Sequence, residues 1–268
     1  MNDFVDTYNA NYSHFGEAVF ARVRREAFGE DIGQNSWLTA DECRTFCAWL
    51  QLEATSQVLE VCCGAGGPAL FIARTTGAQV TGVDINAHGI AAGNAMAHAQ
   101  QLETRVHFEQ ADASGPLPFA EASFDALLCI DAINHLPDRL QVLREWRRLV
   151  KAGGQILFTD PITVTGTVSS EEIAIRSAIG YQLFVPPGED ARLIEQAGLQ
   201  LERQEDVTEH LTLISQRRYE AQLRAREELI ALVGEQTYEG QQRLFALVHQ
   251  LASERRLSRF VYLARQGA

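Results

Sequence analysis

One short segment constrains the fold more than any other part of the chain: an apolar strand that runs directly into a glycine-rich turn and a helix. Residues 58–69 read VLEVCCGAGGPA. Gly64 and Gly66 lack a side chain, so a ligand can approach the backbone closely and φ can be positive. The helix behind them presents free N–H groups at its first turn. This pattern predicts a nucleotide-type ligand at the end of the first strand of an open α/β sheet.

Strand and helix patterns alternate around this segment. The predicted strands cover residues 57–61, 79–84, 105–110, 124–130 and 155–159, and later 199–207 and 259–264. Helices are predicted between these strands. The first follows the glycine turn and ends near residue 75, and the others cover residues 88–101, 139–150 and 190–197. A turn at residues 151–154 is expected to lead into the fifth strand. Such alternation predicts parallel βαβ units with helices on both faces of the sheet.

Two helical segments lie outside this pattern. Residues 1–50 predict an aromatic-rich N-terminal helical cap, and residues 209–256 predict a helical insertion with a break at Gly234. Residues 51–208 and 257–268 are assigned to the Rossmann-like core. Because a polar segment of nearly fifty residues is too long for a simple connection, we expect it to form a lid over the ligand together with the cap.

Composition excludes several partners. The net charge of −12 argues against nucleic acid, which requires clustered Lys and Arg. The sequence contains no run of 18 apolar residues, so it predicts no membrane span, and it predicts no signal-like leader at the N-terminus. Five cysteines without paired ligand spacing favour free thiols, no metal and a cytoplasmic location. Lys151 is the only lysine, which excludes Schiff-base chemistry.

Two cofactor classes fit the glycine turn. Gly64-x-Gly66-x-x-Ala69 followed by Asp84 satisfies a dinucleotide fingerprint, in which the acid binds the ribose hydroxyls. Glu60, however, lies just ahead of the glycines, where it would repel a pyrophosphate but attract an α-amino group. Asp112 follows the third strand, where its carboxylate can accept a hydrogen bond from an adenine amino group. These acids favour an aminoacyl nucleoside, and an NAD(P)-dependent oxidoreductase remains the alternative.

Several motifs together resemble the class I S-adenosylmethionine-dependent methyltransferases. The first is VLEVCCGAG at residues 58–66, followed by Val83-Asp84, Ala111-Asp112-Ala113, and residues 124–130 with Asn134-His135-Leu136-Pro137-Asp138. Cys62 departs from the pattern, because the family usually has glycine there. The resemblance implies a seven-stranded, mostly parallel Rossmann-like sheet with an antiparallel last strand. It also implies that S-adenosylmethionine contacts Glu60, Cys62, Gly64, Gly66, Asp84, Ile85, Asp112, Ala113 and Ile130.

A looser resemblance links residues 28–37 to the small-amine methyltransferases that act on phosphoethanolamine or on sarcosine and dimethylglycine. By that resemblance Gln34 and Ser36 bind the methionine end of the cofactor and Trp37 walls the site. It also implies that a tyrosine of the N-terminal helix, Tyr8 or Tyr12, pairs with His135, and Tyr12 is assigned to the catalytic group.

Methyl transfer from a sulfonium needs alignment above all, and a base only where the acceptor holds its proton tightly. His135 and Asp131 follow the fourth strand and are the candidate catalytic groups. Arg176, Tyr181 and His210 are candidates for the acceptor pocket. The predicted function is methylation of a small molecule, with nitrogen favoured slightly over oxygen or carbon. A catalytically silent cofactor-binding protein and a homodimer both stay open.

Overall fold

The computed structural model describes residues 6–267, and its centre is one seven-stranded sheet. The strands are β1 Gln57–Val61, β2 Gln79–Asp84, β3 Val106–Gln110, β4 Phe124–Cys129, β5 Val150–Val164, β6 Leu199–Asp206 and β7 Leu257–Gln266. Their order is β3-β2-β1-β4-β5-β7-β6, and only the pairs that involve β7 are antiparallel. The predicted mostly parallel α/β sheet with an antiparallel last strand is confirmed.

Helices cover both faces of the sheet. They are α1 Thr7–Ser13, α2 Ala18–Phe28, α3 Ala40–Trp49, α4 Gly67–Thr76, α5 Ala87–Ala99, α6 Arg139–Leu149, α7 Ser170–Arg176, α8 Glu189–Gln196, α9 Thr208–Arg224, α10 Arg226–Val233 and α11 Glu235–Ser253. One core packs α3 and α4 against the sheet through Phe46, Leu70 and Ile72. The other packs α6 and α8 through Trp146 and Ile194. The central strands β1, β4 and β5 are therefore buried on both sides, as expected of a parallel sheet, whereas the edge strands β3 and β6 keep exposed residues.

The N-terminal cap and the insertion share cores of their own. Val19, Phe20 and Val23 of α2 pack against Ala221 of α9 and Tyr238 of α11. A second shared cluster joins the cap to α9 and α11 through residues such as Trp37, Ile214 and Phe245. Because the two segments bury apolar surface against each other, they form one helical layer. None of the helices among residues 6–267 is long and apolar enough to cross a membrane.

The main errors of the sequence prediction lie at element boundaries. β5 begins at Val150 and continues to Val164, so residues 151–154 are strand rather than the predicted turn. Its pairing with β7 shifts register between Asp160 and Thr163, next to Pro161, which has no N–H to donate. β7 is longer at both ends than the predicted residues 259–264. The insertion breaks at Gly234 as predicted and also at Ala225.

Helix α7 was not predicted, although the sequence carries its signal. Ser169 accepts a hydrogen bond from the N–H of Glu172, and the Glu172 side chain accepts one from the N–H of Ser169. This reciprocal arrangement is the Ser-x-x-Glu capping box that marks helix N-termini. α7 follows β5 and ends at Arg176, so it brings that residue to the carboxyl-terminal edge of the sheet.

Candidate active site

A cavity with a volume of about 560 Å³ lies at the carboxyl-terminal edge of β1, β2 and β4. The strand order reverses between β1 and β4, and such a switch point is where open α/β sheets bind ligands. Residues from four places complete the wall: α1, the segment 33–37, α7 with the residues after it, and the helices α9 and α11. The volume lies within the range of about 300–1,000 Å³ that is common for small-molecule pockets.

The turn after β1 needs glycine at two positions. Gly66 has φ of +74°, and a Cβ built there would overlap the ring of Phe108. Gly64 has φ of +56°, and a Cβ there would overlap the hydroxyl of Tyr12. Cys62 also has positive φ, +57°, which a side chain disfavours. This conformation explains why glycine is usual at that position, and Cys62 lines the cavity despite it.

Glu60 is the most unusual ionisable group at the cavity. Its side chain is only 2% exposed, and its Oε2 has no hydrogen-bond partner among the described residues. The backbone N–H of Ala69, in the first turn of α4, favours the charged form of the carboxyl. Burial raises the pKa of Glu60 to about 8, and the charge of Asp84 adds to the increase. An unsatisfied acid that lines a cavity is suited to a cationic ligand group.

Asp84 lies where an acid for the ribose was expected, at the end of β2. Its Oδ2 accepts from the N–H of Gly64 at 2.8 Å and its Oδ1 from the N–H of Asn86 at 2.8 Å. Burial raises its pKa. These two bonds fix the carboxylate while leaving each oxygen a further lone pair for a ligand hydroxyl.

Ile85 and Ile130 line the same cavity, and Ile85 is 64% exposed although it is apolar. Asp112 and Ala113 are not among the lining residues. The Oδ1 atom of Asp112 accepts hydrogen bonds from the N–H and the hydroxyl of Ser114. Its contact with adenine therefore stays a prediction.

The segment 33–37 crosses the glycine turn, since the backbone of Gly33 contacts Gly67 directly. Trp37 lines the cavity as predicted. Ser36 also lines it, and its contact with the methionine end of the cofactor stays a prediction. Gln34 does not line it, because its side chain turns back and bonds to the N–H of Ile32 at 2.8 Å and the carbonyl of Glu30 at 3.2 Å. The structure thus corrects the assignment of Gln34 to cofactor binding: it shapes the segment instead.

Asp131, a candidate catalytic group, lines the cavity and is held there by several donors. Its Oδ1 accepts from Arg259 Nε at 2.6 Å and from the Thr159 hydroxyl at 2.7 Å. Its Oδ2 accepts from the N–H of Trp37 at 2.9 Å. Arg259 is fully buried and also pairs with Glu42. These donors contact both oxygens of Asp131 and tie it to Trp37, so its membership of the catalytic group stays a prediction.

His135 lies in the short 3₁₀ turn Ile133–His135 after β4 and makes two hydrogen bonds. Its Nδ1 lies 2.8 Å from the carbonyl oxygen of Tyr181, and its Nε2 lies 2.8 Å from the hydroxyl of Tyr8. A carbonyl only accepts, so Nδ1 carries the hydrogen and Nε2 accepts from Tyr8. Burial lowers the pKa of His135 to about 4 and raises the pKa of Tyr8 to about 12. The pair is therefore uncharged near neutral pH.

Of the two tyrosines that could pair with His135, Tyr8 makes the contact, and the assignment of Tyr12 to the catalytic group stays a prediction. Tyr8 makes the bond with His135, whereas Tyr12, one turn further along α1, lies over Gly64. Both rings line the cavity and stack with centroids 6.2 Å apart. Residues four apart share one helix face, so their spacing could not distinguish them.

The loop after α7 holds His135 in place. The side-chain amide of Asn134 donates to Gln182 at 2.6 Å, and the Asn134 carbonyl accepts from the N–H of Leu183 at 2.8 Å. Arg139, buried between Asp160 and Asp190, donates to the carbonyl of Leu183 at 2.7 Å. These contacts fix the Tyr181 carbonyl and through it the tautomer of His135.

Two arginines line the cavity, and the sequence suggested only one of them. Arg176 and Tyr181 lie in the wall as predicted, but His210 does not, because it faces Glu42 at 3.3 Å. Arg218 of α9 was missed. It donates to the carbonyls of Asn35 and Ser36, and its guanidinium lies over the ring of Phe245. Burial lowers its pKa to about 10. An arginine in a polar helix carries no sequence signal of such a role.

Comparison with known proteins identifies the family. A family model described as a methyltransferase domain matches residues 59–158. The 27-O-demethylrifamycin SV methyltransferase of Amycolatopsis mediterranei (strain S699) is 30% identical over 207 residues, which cover 73% of this chain and 76% of the relative. The chain belongs to the class I S-adenosylmethionine-dependent methyltransferases.

Two further proteins that this methyltransferase resembles are phosphoethanolamine N-methyltransferases. Phosphoethanolamine N-methyltransferase 3 of Arabidopsis thaliana is 27% identical over 86% of this chain, which spans 45% of that relative's length. A structure of Haemonchus contortus phosphoethanolamine N-methyltransferase 2 has the same fold, with a TM-score of 0.81, 20% identity and coverage of 98% of this chain and 61% of that one.

The names of the relatives include O-, N- and C-methyltransferases. The enzyme is thus a methyltransferase of small molecules, and the oxidoreductase alternative is set aside.

The residues at the cavity fit S-adenosylmethionine. The buried Glu60 with its unpartnered oxygen suits the α-amino group, and Asp84 suits the ribose hydroxyls. Side chains at Gly64 or Gly66 would overlap Tyr12 or Phe108 and displace the turn that receives the cofactor. When bound, the cofactor supplies a methyl group on a positively charged sulfur, and that charge is lost when the methyl leaves. The chain's own residues must then align the acceptor and take up its proton.

Proposed function

We propose that this methyltransferase transfers the methyl group to a hydroxyl oxygen of a small molecule and that Tyr8 and His135 take up the hydroxyl proton. The observation that carries the proposal is the uncharged pair Tyr8–His135 at the cavity wall, with 2.8 Å between the Tyr8 hydroxyl and His135 Nε2. An acceptor hydroxyl beside Tyr8 donates its proton to the Tyr8 oxygen. Tyr8 passes its own proton to His135 Nε2. The C–O bond would then form as two bonds break: the acceptor's O–H bond, whose proton goes to this pair, and the bond from the methyl group to the sulfonium sulfur, which keeps the electron pair.

Charge favours oxygen over a protonated amine at this place. Arg176 lies close enough to Tyr8 and His135 for its positive charge to act on both. An ammonium acceptor without an anionic group of its own would be repelled beside that arginine in a buried site, whereas a hydroxyl that develops negative charge would be stabilised. The low pKa of His135 does not prevent proton uptake. As the proton arrives, the site loses the charge of the sulfonium, so the total charge is unchanged.

Nitrogen methylation is the second candidate, as the sequence resemblance suggested. It is supported by the similarity to the phosphoethanolamine N-methyltransferases over 86% of the chain. The resemblance to an enzyme named for 27-O-methylation, at 30% identity, supports oxygen. For an amine acceptor, the Tyr8–His135 pair would take up the proton of a neutral amine after attack.

The test combines an acceptor screen with a single-atom variant. Pools of hydroxyl, amine and carboxylate compounds are incubated with isotope-labelled S-adenosylmethionine, and the methylated atom is located by mass spectrometry and NMR. We expect methyl ethers, and we expect Tyr8→Phe to lower turnover by about 10²–10⁴-fold, the usual contribution of a positioned proton acceptor. Tyr219→Phe is the matched control, because Tyr219 lies in α9 outside the cavity wall.

Two results would contradict the proposal. Methylation on nitrogen alone would replace it with the second candidate, and unchanged turnover in Tyr8→Phe would remove the role of the pair. If the protein binds the cofactor but methylates no compound in any pool, the result would support a catalytically silent cofactor-binding protein instead. Affinity for S-adenosylhomocysteine, measured by calorimetry, should be similar in Tyr8→Phe and the unaltered protein, because the hydroxyl faces the acceptor.

A further inference from the structure

Arg176 differs from the other buried arginines of this protein. Four arginines are buried among the described residues: Arg139, Arg176, Arg218 and Arg259. Three of them donate to carboxylates or backbone carbonyls. Arg176 is 4% exposed and lines the cavity. Among residues 6–267 it makes no hydrogen bond or salt bridge, and it interacts with Tyr8, Asp160 and Asp131 only through its charge. Its guanidinium therefore has unused donors that face the cavity.

Rigid contacts hold this arginine where it is. α7 begins with the Ser169–Glu172 capping box, and Glu172 also forms a salt bridge with Arg256 at 2.7 Å. The Ile175 side chain packs into a cluster with Leu251 and Leu257. The helix is thus fixed at both ends, and Arg176 is presented to the cavity by a rigid element. A buried cation without a partner costs free energy, so its retention in a preformed position points to a ligand.

The place of Arg176 indicates which ligand it faces. Its charge acts on Tyr8 and His135, which the proposed function places beside the acceptor, whereas Glu60 and Asp84 fit the cofactor. Apolar residues Ile179, Leu244 and Phe245 line the same cavity. A ligand there would combine an apolar body with a group that accepts several N–H hydrogen bonds.

We propose that Arg176 binds an anionic group of the methyl acceptor, which makes the substrate a hydroxylated organic acid that carries a carboxylate or a phosphate. Guanidinium offers two parallel N–H donors that match the oxygens of either group. In a site from which water is largely excluded, such a pair is stronger than at the surface. The anion would fix one end of the acceptor while its hydroxyl reaches Tyr8. This inference rests on the proposed function, because it names the substrate class of the same site.

Binding tests the proposal without any methyl transfer. The complex with S-adenosylhomocysteine is titrated by calorimetry with benzoate, phenyl phosphate and benzyl alcohol, which share one ring and differ in charge. We expect the anion of the matching class to bind at least tenfold more tightly than benzyl alcohol. We expect Arg176→Met to remove that preference. Arg243→Met is the matched control, because Arg243 is exposed on α11. Equal binding of all three probes, or an unchanged preference in Arg176→Met, would overturn the proposal.

Thermal stability gives a second, independent measurement. If Arg176 lacks a partner in the ligand-free protein, Arg176→Met removes a buried charge while keeping a similar volume. The melting temperature of the ligand-free variant should then rise by a few degrees. A fall would show that Arg176 has structural partners and would overturn the proposal. Neither measurement depends on which atom is methylated, so failure of the oxygen assignment and failure of the anion site give different results.

Discussion

Replacing Glu60 by glutamine tests the electrostatics of the cofactor site most directly. Glutamine keeps the shape of the side chain and its acceptor for the N–H of Ala69, but it cannot ionise. Burial raises the pKa of Glu60 from 4.5 to about 8, so the ligand-free folded protein keeps a proton that the unfolded chain releases. The stabilisation from this proton is fully present below pH 4.5 and is lost as the pH rises through about 8.

The magnitude follows from the size of the pKa shift. Each pH unit between 4.5 and about 8 lowers the free energy of unfolding of the unaltered protein by about 1.4 kcal/mol relative to Glu60→Gln. Over the whole range the difference approaches about 5 kcal/mol, as an order of magnitude. Other titrating groups are the same in both proteins and cancel in the comparison. We therefore expect the glutamine variant to gain relative stability as the pH rises.

Urea unfolding at pH 5, 6, 7, 8 and 9 measures this difference. Glu109→Gln on β3 is the matched control, because Glu109 is exposed and its replacement should leave the pH dependence unchanged. In calorimetry at pH 7, S-adenosylmethionine should release about one proton from the unaltered protein as Glu60 ionises against the α-ammonium group, and almost none from Glu60→Gln. Parallel stability curves for the unaltered protein and Glu60→Gln would refute the reasoning.

Two further predictions concern the cofactor. Asp84→Ala should weaken S-adenosylmethionine binding by about 1.5–3 kcal/mol, because a charged acceptor for the ribose hydroxyls is lost; calorimetry on the folded variant measures it, and unchanged affinity would remove the assignment. α1 covers the glycine turn through Tyr12, and α9 and α11 line the cavity, so we expect these helices to act as the predicted lid. Their backbone amides should exchange more slowly with solvent when cofactor is bound, and identical exchange with and without it would contradict the lid.

Patterns that are local in the chain predicted the part of the site that binds the cofactor. Glu60, Gly64 and Gly66 lie within seven consecutive residues, and Asp84 ends the next strand. Strand, turn and helix here follow from side-chain pattern and from the φ that glycine permits. The family resemblance implied seven strands with an antiparallel last strand. The order of the strands came from the structure, and the boundaries of β5 depended on pairing with β7, about a hundred residues away.

The catalytic side depends on contacts that no local pattern encodes. Asp131 and His135 both follow β4 and were equally good candidates, yet Arg259, 128 residues away, neutralises Asp131. His135 instead meets Tyr8, 127 residues away, because α1 folds across the cavity.

The sequence by itself predicted the alternating strands and helices, the glycine turn, and Glu60 and Asp84 beside it, because these depend on residues close together in the chain. Only the tertiary structure decided which polar groups at the cavity lack a charged partner within the protein and are left for a ligand. That depends on which buried charges find partners: Asp131 has Arg259, whereas Arg176 has no such partner among the described residues.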